Sequence, residues 1–142
     1  MSYDPTKLQV DNFVRNRIHL CGNYDLSNFI RLVGRKSRNK TYLFLKSNLP
    51  DIAIRLDESS AWTLSQVCFI LYGQQTMIES DEGLLRILSI MTKAMKQILR
   101  SDEVVLPRNI SMILLGLQSN QCTQTESKEF LSVLAEVINK IK

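Results

Sequence analysis

The sequence predicts an all-α fold of about seven helices in roughly three antiparallel helical hairpins. One observation is an internal repeat: FILYGQQ (69–75) and MILLGLQ (112–118) are versions of one phrase, 43 positions apart. The other is that apolar residues after each phrase recur at three- and four-residue steps, the stripe of an amphipathic helix. Paired helices that repeat in sequence predict a small right-handed solenoid or bundle.

The repeat keeps its register well beyond the two phrases. When Gly73 is aligned with Gly116, apolar positions from 67 to 98 match apolar positions from 110 to 141. The two stripes are Leu84, Ile87, Leu88, Met91, Met95 and Ile98 in the first copy, and Phe130, Leu131, Leu134, Val137, Ile138 and Ile141 in the second. Each unit is therefore predicted as a helix A (63–77 and 107–119), a short polar turn and a helix B (80–100 and 124–141).

Residues typical of helix starts precede these helices. Ser80, Asp81 and Glu82 come before the first helix B, and residues 123–126 (TQTE) form a predicted capping box before the second. Pro107 fits the first turn of the second helix A, where its missing N–H costs least.

A fainter copy lies upstream. Residues 26–34 resemble 64–73 with one residue fewer, and Tyr42, Leu45, Leu49, Ile52 and Leu56 suit a helix B that Pro50 interrupts or kinks. Residues 8–20 are predicted to form a helix that caps the array. The expected organisation is one domain (1–142) with a cap helix (1–22), a degenerate hairpin (23–58) and hairpins at 62–103 and 104–142.

The apolar runs at 41–45, 67–72 and 110–115 also suit buried strands, because short apolar runs are ambiguous. Hairpin dipeptides such as Asn-Gly and Asp-Gly are absent, and the phrases continue in helical register past each run. The helical interpretation is therefore favoured.

The shared motif consists of Tyr72, Gly73 and Gln75 in one copy and of Leu115, Gly116 and Gln118 in the other. Glycine inside a helix costs up to about 1 kcal/mol relative to alanine, so a recurrent glycine usually has a packing reason. One interpretation is that each glycine lets a neighbouring backbone approach, with Gln75 and Gln118 bonding exposed backbone. The alternative is that each glycine begins the end of its helix.

This phrase, L-Y-G-x-Q or L-L-G-L-Q near the end of helix A, resembles the SKWP-type helical repeats of bacterial effector proteins and the helical repeats of organellar RNA-binding proteins. The length of the two-helix unit is similar to that of armadillo and HEAT repeats. The resemblance covers 62–142 and, less closely, 25–56. It implies an α-solenoid fragment that binds a partner along an extended surface, and it brings no catalytic residue with it.

Composition and charge bound the class of protein. Hydrophobic residues make up 44% and charged residues 23% of the 142 residues, values typical of a globular domain. The start of the chain lacks the layout of a signal peptide, and no apolar run is long enough to span a membrane. An intracellular and by default cytoplasmic location is expected, with secretion by a non-classical effector route left open.

The cysteines (Cys21, Cys68 and Cys122) are odd in number and widely spaced, which argues against a disulfide framework or a zinc site. Cys68 is expected to be a small buried side chain.

Positive charge is concentrated near the start: residues 1–56 carry ten Lys and Arg against four Asp and Glu. The candidate binding residues are the basic cluster and the tyrosine beside it, namely Arg31, Arg35, Lys36, Arg38, Lys40 and Tyr42. One interpretation is a solvated turn at a helix end, where cations are favourable. The other is a contact for phosphate, nucleic acid or an acidic protein surface.

No pattern of residues indicates catalysis, a metal site or a cofactor. His19, the sole histidine, lies two residues from Cys21, but nucleophilic catalysis needs a third, orienting group. Residues 34–40 lack the second glycine and the Gly-Lys-Ser/Thr ending of a phosphate loop. The acidic residues Glu79, Asp81, Glu82, Asp102 and Glu103 suit helix capping, and Met77, Met91, Met95 and Met112 suit core filling, with lining of a partner groove as the alternative.

The leading hypothesis is a non-enzymatic helical-repeat module that binds another protein, with terminal helices available for self-association. The second is binding of RNA or DNA through the 31–42 segment, and the third is a small hydrolase whose site would gather His19, Cys21 and a carboxylate.

Overall fold

The computed structural model describes residues 5–34 and 41–141. Within these ranges it has eight α-helices, one short 3₁₀ helix and no strand. The elements are α1 (Pro5–Asn16), the 3₁₀ helix (Ile18–Leu20), α2 (Asn23–Gly34), α3 (Tyr42–Ser47), α4 (Leu49–Asp57), α5 (Leu64–Gly73), α6 (Leu84–Arg100), α7 (Pro107–Gly116) and α8 (Thr125–Ile138). The prediction of an all-α fold is confirmed, and the three runs considered as strands lie in α3, α5 and α7.

The helices pack in two layers. Helices α2, α5 and α7 lie side by side in one layer, and α4, α6 and α8 lie side by side in the other, with α3 joining α2 to α4. Helices α5 and α6 therefore correspond to the predicted helices A and B of one unit, and α7 and α8 to those of the next. The right-handed solenoid geometry stays a prediction.

Local chemistry explains where several helices begin. At the start of α5, Thr63 Oγ1 accepts a hydrogen bond from Gln66 N (3.2 Å), while Gln66 Oε1 accepts one from Thr63 N (3.0 Å), a capping box that the sequence analysis did not single out. Pro107 is the first residue of α7, as predicted. The upstream helix B is split into α3 and α4 beside Pro50, which lies in the first turn of α4.

The predicted ends of helix A and helix B are displaced at the turn between α5 and α6. Helix α5 ends at Gly73 instead of reaching 77, and α6 begins at Leu84 instead of 80. Gly83, the residue before α6, has a φ of 95°, a conformation that non-glycine residues rarely adopt. The backbone of Leu49 also lies 2.9 Å from where a Cβ of residue 83 would stand. The later start of α6 thus follows from a turn that needs glycine at position 83.

The core lies between the two layers. The stripe of α6 is buried throughout, and Phe130 and Leu134 of α8 are buried with it. Met77, Met91 and Met95 are fully buried in this core and Met112 is half-buried, so the methionines mainly fill the core. Among the described helices, none combines the length and the apolar character needed to cross a membrane.

Candidate functional site

The two motif glycines lie where neighbouring helices of the first layer touch. A methyl group on Gly73 would overlap the backbone carbonyl of Ile30 in α2, and one on Gly116 would overlap that of Leu71 in α5. Each glycine is also the last residue of its helix. Each glycine therefore both ends its helix and lets a neighbouring backbone approach. It is the close approach that requires glycine.

The close-approach interpretation expected Gln75 and Gln118 to bond exposed backbone, but among the described residues their side chains bond each other. Gln118 Nε2 donates to Gln75 Oε1 across the two units at 3.0 Å. Gln75 is buried by this contact, whereas Gln118 stays exposed. The Gln75 oxygen thus accepts a hydrogen bond from the unit that follows it.

One face of α5 is turned towards α7. Leu71 of this face meets Gly116, and the Cys68 sulfur lies 3.5 Å from the carbonyl oxygen of Asn109. Burial raises the pKa of the Cys68 thiol to about 11, so the thiol stays protonated at neutral pH. This face is closed to solvent by the following unit.

The corresponding face of α7 is open. Ser111, Leu114 and Gln118 of the second copy match the buried Cys68, Leu71 and Gln75 of the first. Leu71 is 0% exposed, yet Leu114 is 50% exposed, and Ser111 and Gln118 are exposed as well. Within the part of the chain that the structure describes, no helix covers them.

The second layer shows the same difference. Leu88, Thr92 and Met95 of α6 are buried, whereas the matching Leu131 is half-buried, Ala135 is exposed and Ile138 is 40% exposed. Positions that face the interior, such as Ile87 and Phe130, are buried in both copies, so the difference is confined to one side of the unit.

These six positions form one face, which we call the α7–α8 flank: Ser111, Leu114, Gln118, Leu131, Ala135 and Ile138. Its centre is aliphatic and its polar members are neutral. The flank therefore corresponds to the surface of α5 and α6 on which α7 and α8 pack, but no described helix packs on the flank.

The other end of the two layers is covered. Val10, Val14 and Ile18, from α1 and the 3₁₀ helix, are buried, and the Phe13 ring lies 4.4 Å from that of Phe29 in α2. The predicted cap helix thus covers the first unit, and the structure is asymmetric between its two ends.

Glu79 joins the two complete units. Its carboxylate accepts hydrogen bonds from the backbone N–H groups of Thr123 and Gln124 and from the hydroxyl groups of Thr123 and Ser127, at 2.8 to 3.0 Å. These bonds, with that of Thr123 N first among them, lower the pKa of Glu79 to about 2. The predicted capping box at 123–126 is wrong, because α8 begins at Thr125 without a side-chain cap of its own and Glu79 supplies the acceptor.

Replacement of Glu79 by glutamine is expected to destabilise the protein at neutral pH and to remove part of its acid sensitivity. The native pKa lies below the usual 4.5, so the carboxylate stabilises the fold above about pH 4.5, and this contribution is lost as the pH falls towards 2. Urea unfolding measured from pH 7 to pH 3 would show a flatter pH dependence for Glu79→Gln. The exposed neighbour in Glu82→Gln serves as the control, and equal curves for the two variants would contradict the assignment.

The structure describes two of the six candidate binding residues, Arg31 and Tyr42. Arg31 is half-buried, donates to Asn28 Oδ1 (3.0 Å) and places its guanidinium 4.7 Å from the centre of the Phe69 ring. Tyr42 is half-buried at the start of α3. Arg35, Lys36, Arg38 and Lys40 lie outside the described residues.

The residues considered for hydrolysis are only partly brought together. His19 lines a groove of about 500 Å³ between α1 and α4, together with Asp11, Asp51 and Glu58. Cys21 is not among the residues that line this groove, and its thiol lies 3.7 Å from the carbonyl oxygen of Arg17. Among the described residues, no group of three His, Cys, Asp or Glu side chains suits a metal ion.

The flank residues were not predicted as a site, although residue types in the repeat held part of the signal. Cys68 of the first copy corresponds to Ser111 of the second. An apolar residue is thus replaced by a polar one at a position that stacking would bury. Leu114 and Ile138 gave no such signal, because an aliphatic residue suits both a covered and an open position.

No protein family, curated protein or solved structure matches this chain.

Proposed function

We propose that this protein is a non-enzymatic helical-repeat module that binds another protein through the α7–α8 flank. The observation that supports the proposal is the contrast between equivalent positions: Leu71 and Met95 are buried, whereas Leu114 and Ile138 are exposed. A face of this shape and polarity already takes part in one helix-to-helix interface within the chain. A partner that covers it would gain the same apolar burial.

The composition of the flank suits a protein partner. Cores of protein interfaces are apolar and poor in charge, with polar groups at the rim. Full burial of a leucine or isoleucine side chain is worth roughly 1.5–3 kcal/mol, so Leu114, Leu131 and Ile138 together provide a useful share of a binding free energy. Ser111 and Gln118 add hydrogen-bonding groups that fix the orientation of a partner.

Charged side chains on the flank are expected to abolish partner binding. In affinity capture from cell extract, the double variant Leu114→Lys/Ile138→Lys should lose its bound protein at least about tenfold relative to the wild-type chain, because two lysines would have to be desolvated in an apolar interface. Both positions are exposed, so the variant should stay folded by circular dichroism.

The matched control is Leu20→Lys, which changes an exposed leucine at the opposite end of the protein. Each capture is run with and without nuclease, so that protein partners bridged by nucleic acid are recognised. Equal recovery of partner by the double variant and the wild-type chain would refute the proposal.

The second candidate function is binding of RNA or DNA through the 31–42 segment, with Arg31, Arg35, Lys36, Arg38, Lys40 and Tyr42 as the candidate contacts. The observation that favours it is the stacking of Arg31 on Phe69 at the end of α2, next to the segment with the other cations. A guanidinium beside an aromatic ring suits contact with both phosphates and bases. Such binding would depend strongly on salt.

Binding to labelled single-stranded and double-stranded nucleic acid at low and moderate salt tests this candidate. A charge-reversed variant at Arg35, Lys36 and Arg38 should bind much more weakly than the Leu20→Lys control. Absence of any binding by the wild-type chain at low salt would eliminate the candidate.

A further inference from the structure

We infer that the partner on the α7–α8 flank is a two-helix unit of the same kind as α5–α6 and α7–α8, carried by a separate protein and ending its first helix in glycine. This inference rests on the proposed function, because it names the chemistry of the partner at the same flank. It follows from what the equivalent face of α5 and α6 already binds.

Three contacts define what that face accepts. Gly116 brings the end of α7 against the Leu71 backbone. The side-chain amide of Asn109 lies 3.8 Å from the Cys68 sulfur. The Gln118 amide donates to Gln75. A small residue, an asparagine and an amide donor are thus presented together by one incoming unit.

The flank repeats the receiving half of each contact. Leu114 corresponds to Leu71, which meets the glycine, and Ser111 corresponds to Cys68, which meets the asparagine. Gln118 corresponds to Gln75, whose side-chain oxygen accepts a hydrogen bond from the next unit. Serine in place of cysteine gives a stronger hydrogen-bonding partner for an asparagine amide. The partner therefore places glycine on Leu114, an amide on Ser111 and a second amide on Gln118.

The second layer adds an apolar contact. Helix α8 packs on α6 within the chain, and Leu88 and Met95 of α6 are fully buried. Their counterparts on the flank are less buried, because Leu131 is half-buried and Ile138 is 40% exposed. The second helix of the incoming unit must therefore bring apolar side chains to them. A single helix would cover only half of the flank, and this is why the partner is a helix pair.

A second copy of this chain does not offer the required surface. Its first unit is covered by α1, with Val10, Val14 and Ile18 buried, so copies cannot stack end to end without losing that cap. The flank thus suits a different protein whose first unit is uncovered.

The test appends a unit of the required kind to the full chain. A second copy of residues 100–142 is fused after Lys142, which continues the repeat at the 43-residue spacing of Gln75 and Gln118. The thiol introduced by Ser111→Cys in the original part reports on the flank by peptide-resolved alkylation. We expect its labelling rate to fall at least about tenfold in the fusion, towards that of the buried Cys68, because docking closes the flank to solvent.

The control fusion carries Gly116→Leu in the appended copy only. It should label as fast as the chain without a fusion, since the leucine prevents close approach to Leu114. A second fusion with residues 57–99 in place of 100–142 covers the case in which the first appended unit does not fold. Unprotected thiol in both fusions, or equal protection in the Gly116→Leu control, would overturn the inference.

The outcomes separate this inference from the proposed function. Protection in the fusions together with unchanged partner capture by Leu114→Lys/Ile138→Lys would refute the protein-binding function and leave the stacking chemistry intact. If the thiol stays unprotected in both fusions and Leu114→Lys/Ile138→Lys loses its partner, the protein-binding function is supported and the helix-pair partner is refuted. A wild-type chain that sediments as a dimer with the Ser111→Cys thiol protected would assign the flank to a second copy, and this inference would be wrong.

Discussion

Replacement of Gly73 by alanine is expected to destabilise the protein by on the order of 3 kcal/mol, a large share of the 5–15 kcal/mol that a domain usually has. The added methyl group would overlap the Ile30 carbonyl. That carbonyl belongs to the backbone of α2, so it cannot rotate away as the end of a flexible side chain could. The layer must separate locally to admit the methyl group, and the packing of α2 on α5 is lost.

The sign of the effect decides between the two interpretations of the motif. In an open helix, a change from glycine to alanine is favourable by up to about 1 kcal/mol. Gly73 has no positive φ, so if it served only to end its helix, Gly73→Ala would be neutral or stabilising. A close approach of two backbones predicts the opposite sign, and urea unfolding followed by circular dichroism measures it.

Gly22→Ala is the matched control. No heavy atom lies within 4 Å of where a Cβ would stand on Gly22, and this glycine has no positive φ. The change should shift the free energy of unfolding by no more than about 0.5 kcal/mol. A stable Gly73→Ala protein with an unchanged transition would disprove the close approach of α2 and α5.

Replacement of Arg55 by methionine is expected to release the N-terminal cap, at a cost of about 2–3 kcal/mol. Arg55 is buried, with 9% of its surface exposed, and its guanidinium donates to the Ile18 carbonyl (3.1 Å), the Cys21 carbonyl and the Ser59 hydroxyl (2.9 Å). Methionine keeps much of the apolar stem but leaves these acceptors without their charged donor.

The effect should be local, because Arg55 holds the segment between α1 and α2. Hydrogen exchange should become faster in α1 and the 3₁₀ helix than in α6 and α8, which keep their own contacts. Arg86→Met is the control, since Arg86 forms an ion pair with Asp57 (2.8 Å) in which both side chains are largely exposed. A uniform increase in exchange over the whole chain, or none in α1, would contradict this role of Arg55.

Much of the fold was predictable, because it depends on local patterns. The stripe of α6 has helical periodicity, and Pro107 begins α7 as its missing N–H predicts. Gly73 and Gly116 marked the crossing points of the first layer. The ends of the helices were less predictable: α6 begins only after Gly83, and this glycine lies against the backbone of Leu49, a contact that no local pattern reveals.

The polar contacts between units show why the rest was not predictable. Glu79 binds residues 44 to 48 positions away, and Lys140 Nζ donates to the Ile98 carbonyl (3.0 Å) in the last turn of α6 and to the Ser101 carbonyl (2.8 Å) just after it. In the sequence these side chains resemble any solvated charge. Their roles depend on which helix ends meet in space.

The sequence by itself determined that this protein is helical, and it marked Gly73 and Gly116 as matching positions, 43 residues apart, at which a helix could end or a neighbouring backbone could approach. Periodicity and glycine carry this information because both act within a few residues of the backbone. Only the tertiary structure decided which copy of the repeat is covered. Leu71 and Leu114 are the same residue in the same local pattern, but a helix packs on the first of them and leaves the second in contact with solvent.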